Sequence, residues 1–303
     1  MRAVFALNPW ESKRLIGRAI SRLPEVIRAY KETQIVIAHG STNVYVVEEI
    51  LGHCPERDKY ASGQIINGTL CQTQSTEKPP IIRLVKGSLV PPVQTMDETL
   101  SGWDDTCIFI KGANAVDPAF NAAVFNAHPS AGTIGFAYGK ICGMGIPLIV
   151  PVGLEKLIPS IKEASTMLGH SRVDYFNGQK IGMLPLINAK VITEIQAFDI
   201  LFNLKATHVG GGGVSGSEGT VVLSVNGEEE IIKRAITEFE SIKGEPPLAL
   251  KKALCESCIP STPALRTIEG SQVIEDTQKT CIYSGTIESD LPEWFTKREL
   301  VSI

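Results

Sequence analysis

The chain has 303 residues, 43% of them hydrophobic and 20% charged, an ordinary globular composition with room for one large α/β domain or for two domains. Its net charge of −4, with no basic block and no basic-aromatic interleaving, argues against a nucleic-acid partner, and no apolar stretch reaches the length of a membrane span. The cysteines number seven, an odd count, and the N-terminal apolar run stops at Asn8 and Pro9, short of a secretory signal; together these predict reduced thiols in a cytoplasmic protein.

In chain order, residues 11–31 read as one amphipathic helix, with Leu15, Ile16, Ile20, Leu23, Val26 and Ile27 at helical spacing and Pro24 as a kink. Residues 34–52 read as a buried strand, a Gly-Ser-Thr turn and a helix in immediate succession. Ile35, Val36 and Ile37 form the continuous apolar run of a strand covered on both faces. Val44, Val47, Ile50 and Leu51 share one helical face, and Gly52 ends the helix. From 53 to 90, short apolar runs alternate with Gly, Pro and Asn, which predicts short strands and loops.

A second strand is expected at 107–110, with its C-terminal end beside the first turn, then a helix over 130–142 and a third strand at 146–152. This alternation implies a parallel sheet, whose ligands bind outside the carboxyl ends of the strands. Further on, 154–169 reads as helix and 173–187 as a hairpin around Asn177-Gly178. Helices at 193–203 and 228–242 and strands at 206–209 and 220–225 complete the pattern. The expected organisation is a Rossmann-like parallel sheet in residues 1–170 and a smaller α+β domain in 171–245. The remainder, 246–303, is rich in Pro, Ser and Thr and is expected to pack on these domains or to mediate association, the chain being a homo-oligomer.

The mouth of the first turn, His39, Gly40, Ser41 and Thr42, suits a phosphate or carboxylate. Unpaired N–H groups of a helix's first turn, the positive end of its dipole and two hydroxyls converge there. The competing account is that Ser41, Thr42 or Asn43 merely caps the helix.

Residues 111–121, KGANAVDPAFN, resemble the Asp-Gly-Ala-Asp-Glu-Val-Asp-Pro-x-x-Asn motif of ribose-5-phosphate isomerase A. The first turn resembles that family's Gly-Ser-Thr phosphate loop, and residues 147–158, PLIVPVGLEKLI, resemble its strand and Lys-Leu-Ile/Val helix. The three segments occur in the family's order and span roughly the first half of the chain. The resemblance implies the fold of the phosphosugar isomerase and CoA transferase-like superfamily, which also holds DeoR-type sugar-phosphate sensors.

The departures from the family fall on its chemistry. Its two motif carboxylates are replaced by Lys111 and Asn114, the following Glu by Ala115, and its Lys-Gly-Gly-Gly segment by residues 124–133. A lysine cannot do a carboxylate's work at an enediolate, and an amide has no useful pKa for proton transfer, so ordinary ribose-5-phosphate isomerisation is not expected. What remains is a cleft of altered polarity. Lys111, Gly112, Ala113 and Asn114 stand at a strand end, His128 is on a loop that can lean over it, and Ser130 and Thr133 open the next helix as a second anion site. The plainer account makes Lys111 a solvated strand-end lysine and His128 a surface loop residue.

Two other stretches invite a reading. Gly211, Gly213 and Gly216 spell G-x-G-x-x-G, but they run into a strand instead of opening a helix, so a glycine loop between strands is expected. A backbone nest rimmed by Ser215, Ser217 and Glu218 is the alternative, with Glu218 as a conceivable CoA-transferase nucleophile. Cys255, Cys258 and Cys281 have the spacing of a metal knuckle but lack a fourth ligand, which favours free thiols over zinc.

The sequence therefore predicts a binder of a small anionic metabolite, a sugar phosphate or CoA-type ligand. It requires no cofactor, admits CoA and disfavours zinc. Any isomerase or transferase step would fall to Lys111, Asn114, His128 or Glu218. The alternative is a non-catalytic metabolite sensor or an assembly protein on the same fold.

Overall fold

The computed structural model describes residues 1–66, 68–73, 77–93, 95–250, 254–258, 266–269, 272–275 and 281–296, so much of the expected C-terminal extension lies outside the described residues. The chain begins with a strand that its short apolar run did not announce, β1 (Arg2–Leu7). A capping box of Asn8 and Glu11 then opens α1 (Pro9–Ser21). The single helix expected over 11–31 is two. Pro24 has no N–H to continue the ladder, so the chain turns at Arg22 and Leu23 and Pro24 becomes the first residue of α2 (Pro24–Glu32).

The strand-turn-helix follows as β2 (Gln34–Ile37) and α3 (Ser41–Leu51), ended by the left-handed Gly52. Short strands come next: β3 (Gly63–Ile66), β4 (Thr69–Gln72), β5 (Ile82–Val85) and β6 (Ser88–Leu89). Then come α4 (Met96–Thr99), β7 (Ile108–Ile110), β8 (Ala115–Val116), β9 (Ala122–Asn126), α5 (Gly132–Met144) and β10 (Leu148–Pro151). The helix expected over 154–169 is broken. A short 3-10 turn at Leu154–Lys156 leads to Pro159, which disfavours helix at the residue before it, and α6 (Ile161–Met167) restarts from the Ser160 cap.

The chain continues with β11 (Gly182–Leu186), β12 (Lys190–Ile192), α7 (Glu194–Phe202), β13 (Ala206–Gly212), β14 (Thr220–Asn226) and α8 (Glu229–Ile242). It ends with β15 (Arg266–Glu269), β16 (Gln272–Glu275) and the short α9 (Glu293–Thr296). Asn177-Gly178 does not turn a hairpin. Leu70 N–H donates to the Asn177 carbonyl and Gln179 N–H to the Leu70 carbonyl, so this segment makes a parallel bridge to β4 while β11 pairs with β9. A Cβ at Gly178 would lie 2.2 Å from the Leu70 carbonyl oxygen, so glycine serves a close backbone approach here.

The central sheet has the order β12-β10-β7-β2-β5-β6. Its four strands from β12 to β2 are parallel, and β5 and β6 add an antiparallel edge, so the sheet is mixed where a parallel one was expected. Ile35, Ile37, Ile108, Ile110, Ile149 and Ile192 face one side, packed with residues of α1, α2 and α3. Val36, Phe109, Leu148, Val150 and Val191 face the other, with Ala137 and Ile141 of α5. This burial on both faces is why the strands read as unbroken apolar runs.

Residues 171–245 are shared among several sheets. β12 extends the central sheet, β11 joins β9 and β8, and β13 and β14 pair with β1 in a sheet of order β1-β14-β13. Phe5, Phe198, Leu223 and Ile232 lie in the same core as Phe109 and Val150. Among the described residues, no helix is long and apolar enough to cross a membrane.

Candidate functional site

The parallel ladder continues one residue past three of its strands. Ala38 N–H donates to the Ile110 carbonyl at 2.9 Å, Lys111 N–H to that of Ile149 at 3.0 Å and Val152 N–H to that of Ile192 at 3.0 Å. The loops after β2, β7 and β10 therefore leave from one edge of the sheet. They form the floor of a cleft of about 400 Å³, walled by the β3–β4 hairpin, by β9 and by the start of α5.

The cleft brings together most of the residues singled out from sequence. His39, Gly40, Ser41 and Thr42 line it from the first turn, Lys111, Gly112, Ala113 and Asn114 from the second, and His128 and Thr133 from the segment before and at the start of α5. Ser130 does not line it; its N–H donates to His128 Nδ1 at 3.0 Å within the preceding turn. Glu218 is also elsewhere, on the exposed loop between β13 and β14, where its carboxylate accepts the Gly216 N–H at 2.9 Å. That loop is a hairpin connection: a Cβ at Gly213 would lie 1.9 Å from the Ser217 carbonyl oxygen, and no helix follows.

The first turn is built to leave its donors free. Gly40 N–H is taken by the Tyr60 carbonyl at 3.1 Å, and Tyr60 Oη bridges β2 and β5 by donating to the Ile37 carbonyl and accepting the Ile82 N–H. Gly40 is the N-cap of α3, and among the described residues no side-chain cap hydrogen bond closes the helix. Asn43 turns back to the Ala38 carbonyl at 2.6 Å, and Thr42 Oγ1, in a residue only 1% exposed, has no partner among the described residues. The capping account of Ser41, Thr42 and Asn43 is therefore not what the geometry gives. Gly40 has φ 163°, an extended backbone open to any residue, and an added Cβ would make an ordinary 3.5 Å contact with Asn43 Cγ.

Sequence reasoning missed much of the remaining cleft, including four polar side chains that bear on its chemistry. Lys78 and Lys156 join Lys111, and Gln72 and Gln179 add buried side-chain Nε2 groups with no partner among the described residues. Lys156 stands inside the segment that resembles the family's Lys-Leu-Ile/Val helix. Lys78, Gln72 and Gln179 lie in stretches without periodicity and reach the cleft only through tertiary pairing.

Lys111 is half-buried, and its Nζ donates to the Gly112 carbonyl at 3.1 Å and the His39 carbonyl at 3.4 Å. Burial, then the charges of Lys156 and Lys78, push its pKa down to about 8. Lys156 Nζ donates to the Ala113 carbonyl at 3.0 Å; its pKa is lowered by burial, with Glu155 opposing. Burial also lowers Lys78. His39 Nε2 lies 2.6 Å from the Pro79 carbonyl, which can only accept, so Nε2 carries the proton. Burial holds this imidazole neutral, its pKa down at about 4 despite the Pro79 hydrogen bond, with Lys78 and Lys111 adding to the effect.

Two of the motif's polar residues are spent on the scaffold. Asn114 Oδ1 accepts the Phe125 N–H at 2.9 Å, tying the second loop to β9. Asp117 accepts the N–H groups of Ala119, Asn121 and Ile161, which outweigh its burial and hold its pKa below the ordinary carboxylate value.

Beneath Lys156 lies a buried charged group. Lys13 Nζ meets Glu155 Oε1 at 3.0 Å, and Glu194 Oε2 accepts the Leu154 N–H at 2.9 Å. Burial and then the charge of Glu155 raise the Glu194 pKa to about 7, whereas Lys13 and Lys156 outweigh burial at Glu155 and lower its pKa. The C-terminal cysteines do not line the cleft. Cys255 and Cys258 share one turn, Cys281 bridges to Gln179, and among the described residues no three His, Cys, Asp or Glu gather as a metal site would require.

No protein-family model matches the chain, and no curated protein or solved structure matches it.

Proposed function

We propose that the chain binds a small phosphorylated or carboxylated metabolite, its anionic group held at the start of α3, on a fold of the phosphosugar isomerase and CoA transferase-like type. The charge of the cleft carries this reading. Three lysines line it and no Asp or Glu does among the described residues, in a chain whose net charge is −4. Burying like charges together is unfavourable unless an anion joins them. The α3 N-terminus and the Thr42 hydroxyl, without a side-chain cap or a partner among the described residues, supply donors at the same place. The volume is near the lower end for ligand pockets, so a whole CoA would leave most of its length outside.

The same acid-free lining argues against proton-shuttle isomerisation, because among the described residues no carboxylate lines the cleft to act as the base. Purified protein is expected to show no ribose-ribulose phosphate interconversion, and turnover with kcat on the order of 1 s⁻¹ or more would overturn this. That lining also favours a second reading, a non-catalytic metabolite sensor. Turnover assays on ligands found by a thermal-shift screen separate the two.

Two variants test the anion site by calorimetric titration with inorganic phosphate, beside circular-dichroism melts. Thr42→Val removes the hydroxyl and keeps its shape, with an expected loss of about 1.5–3 kcal/mol, roughly 10- to 150-fold in affinity. Its melting temperature should hold or rise, since the buried hydroxyl has no partner among the described residues. A capping role predicts the reverse, a lower melting temperature with affinity intact. Gly40→Asp places a carboxylate beside the free donors without straining the backbone, and binding should be lost. Unchanged affinity in folded Gly40→Asp protein removes the proposal.

A further inference from the structure

We infer that Lys111 is an amine nucleophile, and that the cleft takes an aldehyde or ketone carrying a phosphate or carboxylate, which it holds as an imine on Lys111 Nζ. This rests on the anion-binding reading above and adds the class of carbonyl compound to it. The amine is held by two carbonyl oxygens, those of Gly112 and His39. A neutral amine has two N–H donors and one lone pair, so these acceptors can engage both hydrogens and leave the lone pair for a substrate. An ammonium wants a counter-charge, and no carboxylate lines the cleft among the described residues to provide one.

The surroundings strengthen the case. Lys156 and Lys78 act on Lys111 as like charges in a partly desolvated site, the circumstance that lets a lysine attack carbonyls near neutral pH. Burial lowers the Lys156 pKa, making its ammonium a readier proton donor, while Glu155 opposes that shift and favours the charged form, so Lys156 can serve as the nearby acid. The anion site at α3 fixes one end of the ligand, while the Gln72 and Gln179 Nε2 groups, without a partner among the described residues, and the exposed Phe136 and Ile65 side chains offer contacts to the remainder.

The step balances without redox chemistry. Lys111 Nζ attacks the carbonyl carbon, a C–N bond forms, and the C=O π pair moves to oxygen, which takes up a proton. Nitrogen then loses a proton, and the hydroxyl, protonated by the Lys156 ammonium or by solvent, departs as water to leave C=N. Amine and carbonyl thus become imine and water.

The test is reductive trapping with glycolaldehyde phosphate and sodium cyanoborohydride, which delivers hydride to the imine carbon. Intact mass should show one adduct, and peptide mapping should place it on Lys111. Labelling of Lys111 should rise with pH through about 8. At neutral pH it should run on the order of 10- to 100-fold faster than at a surface lysine of pKa near 10.4. Inorganic phosphate should compete, and Lys111→Arg should lose the adduct while its circular-dichroism melt shows it folded. Adducts spread evenly over surface lysines, or carried by Lys78 or Lys156 with Lys111 unmodified, overturn the inference. Phosphate binding without a Lys111 adduct sinks the imine and leaves the anion site standing. Trapping of Lys111 by unphosphorylated glycolaldehyde, with phosphate neither binding nor competing, keeps the imine and sinks the anion site.

Discussion

At the scale of single residues, the buried carboxyl of Glu194 makes a claim about pH. Its folded-state pKa, about 7, stands above the ordinary glutamate value of 4.5 because burial and the neighbouring Glu155 both disfavour its charge. A pKa raised on folding means that the native state holds the proton more tightly. The stability so gained is complete below pH 4.5 and is lost as pH rises through 7. Glu194→Gln can keep an acceptor for the Leu154 N–H and never has to ionise. It should be more stable than the parent at pH 8, by on the order of 1–3 kcal/mol, with the difference closing towards pH 4.5. Urea titrations at the two pH values check this, and a variant penalised more at pH 8 than at pH 5 would show the reasoning to be wrong. The residue was invisible as a site in sequence: Glu194 reads as an ordinary first-turn helix glutamate, and only the fold sets it beside Glu155.

At the scale of elements, the fit of α1 against α3 decides where the anion site stands. Gly17 lies where the two helices meet, and a Cβ there would fall 2.9 Å from the backbone C and O atoms of Tyr45. These are backbone atoms of α3, so they yield only if the helix moves. Gly17→Ala gains about 1 kcal/mol of helix propensity but overpacks a tight contact, at a typical cost of about 1–3 kcal/mol. The expected net result is destabilisation, seen as a lower urea midpoint at unchanged slope, together with weaker phosphate binding as α3 shifts. A rise in the midpoint would mean that the contact is slack.

Elements also show what could be read in advance. The run from β2 into α3 was clear from sequence because its apolar pattern, turn and helix are all local. β1 was missed because its partner β14 lies more than 200 residues away and six residues carry little periodicity of their own. The breaks at Pro24 and Pro159 turned two expected helices into shorter ones, and Asn177-Gly178, a turn signal in sequence, proved to mark a close parallel bridge to Leu70.

At the scale of the whole molecule, the cleft is a product of topology. Its lysines come from three loops, around residues 78, 111 and 156, and no local pattern could have announced that they meet. The strand order, with β2, β7 and β10 as parallel neighbours, is what sends the second and third of those loops to one edge, next to the start of α3. A network of Arg14 and Arg57 with Glu48, Glu49 and Glu245, closed over the Tyr45 ring, ties α1 and α3 to the chain after α8.

Three lysines drawn together only on folding, with Glu155 beside Lys156 as a partial counter-charge, are a load on the empty protein. If an anion fills the cleft, the native state binds it and the unfolded chain, with its lysines dispersed, does not, so mass action favours the folded form as ligand accumulates. At a ligand concentration 100 times Kd the gain is about 2.7 kcal/mol. Resistance to proteolysis, and with it the abundance of the protein in a cell, would then follow the supply of its metabolite.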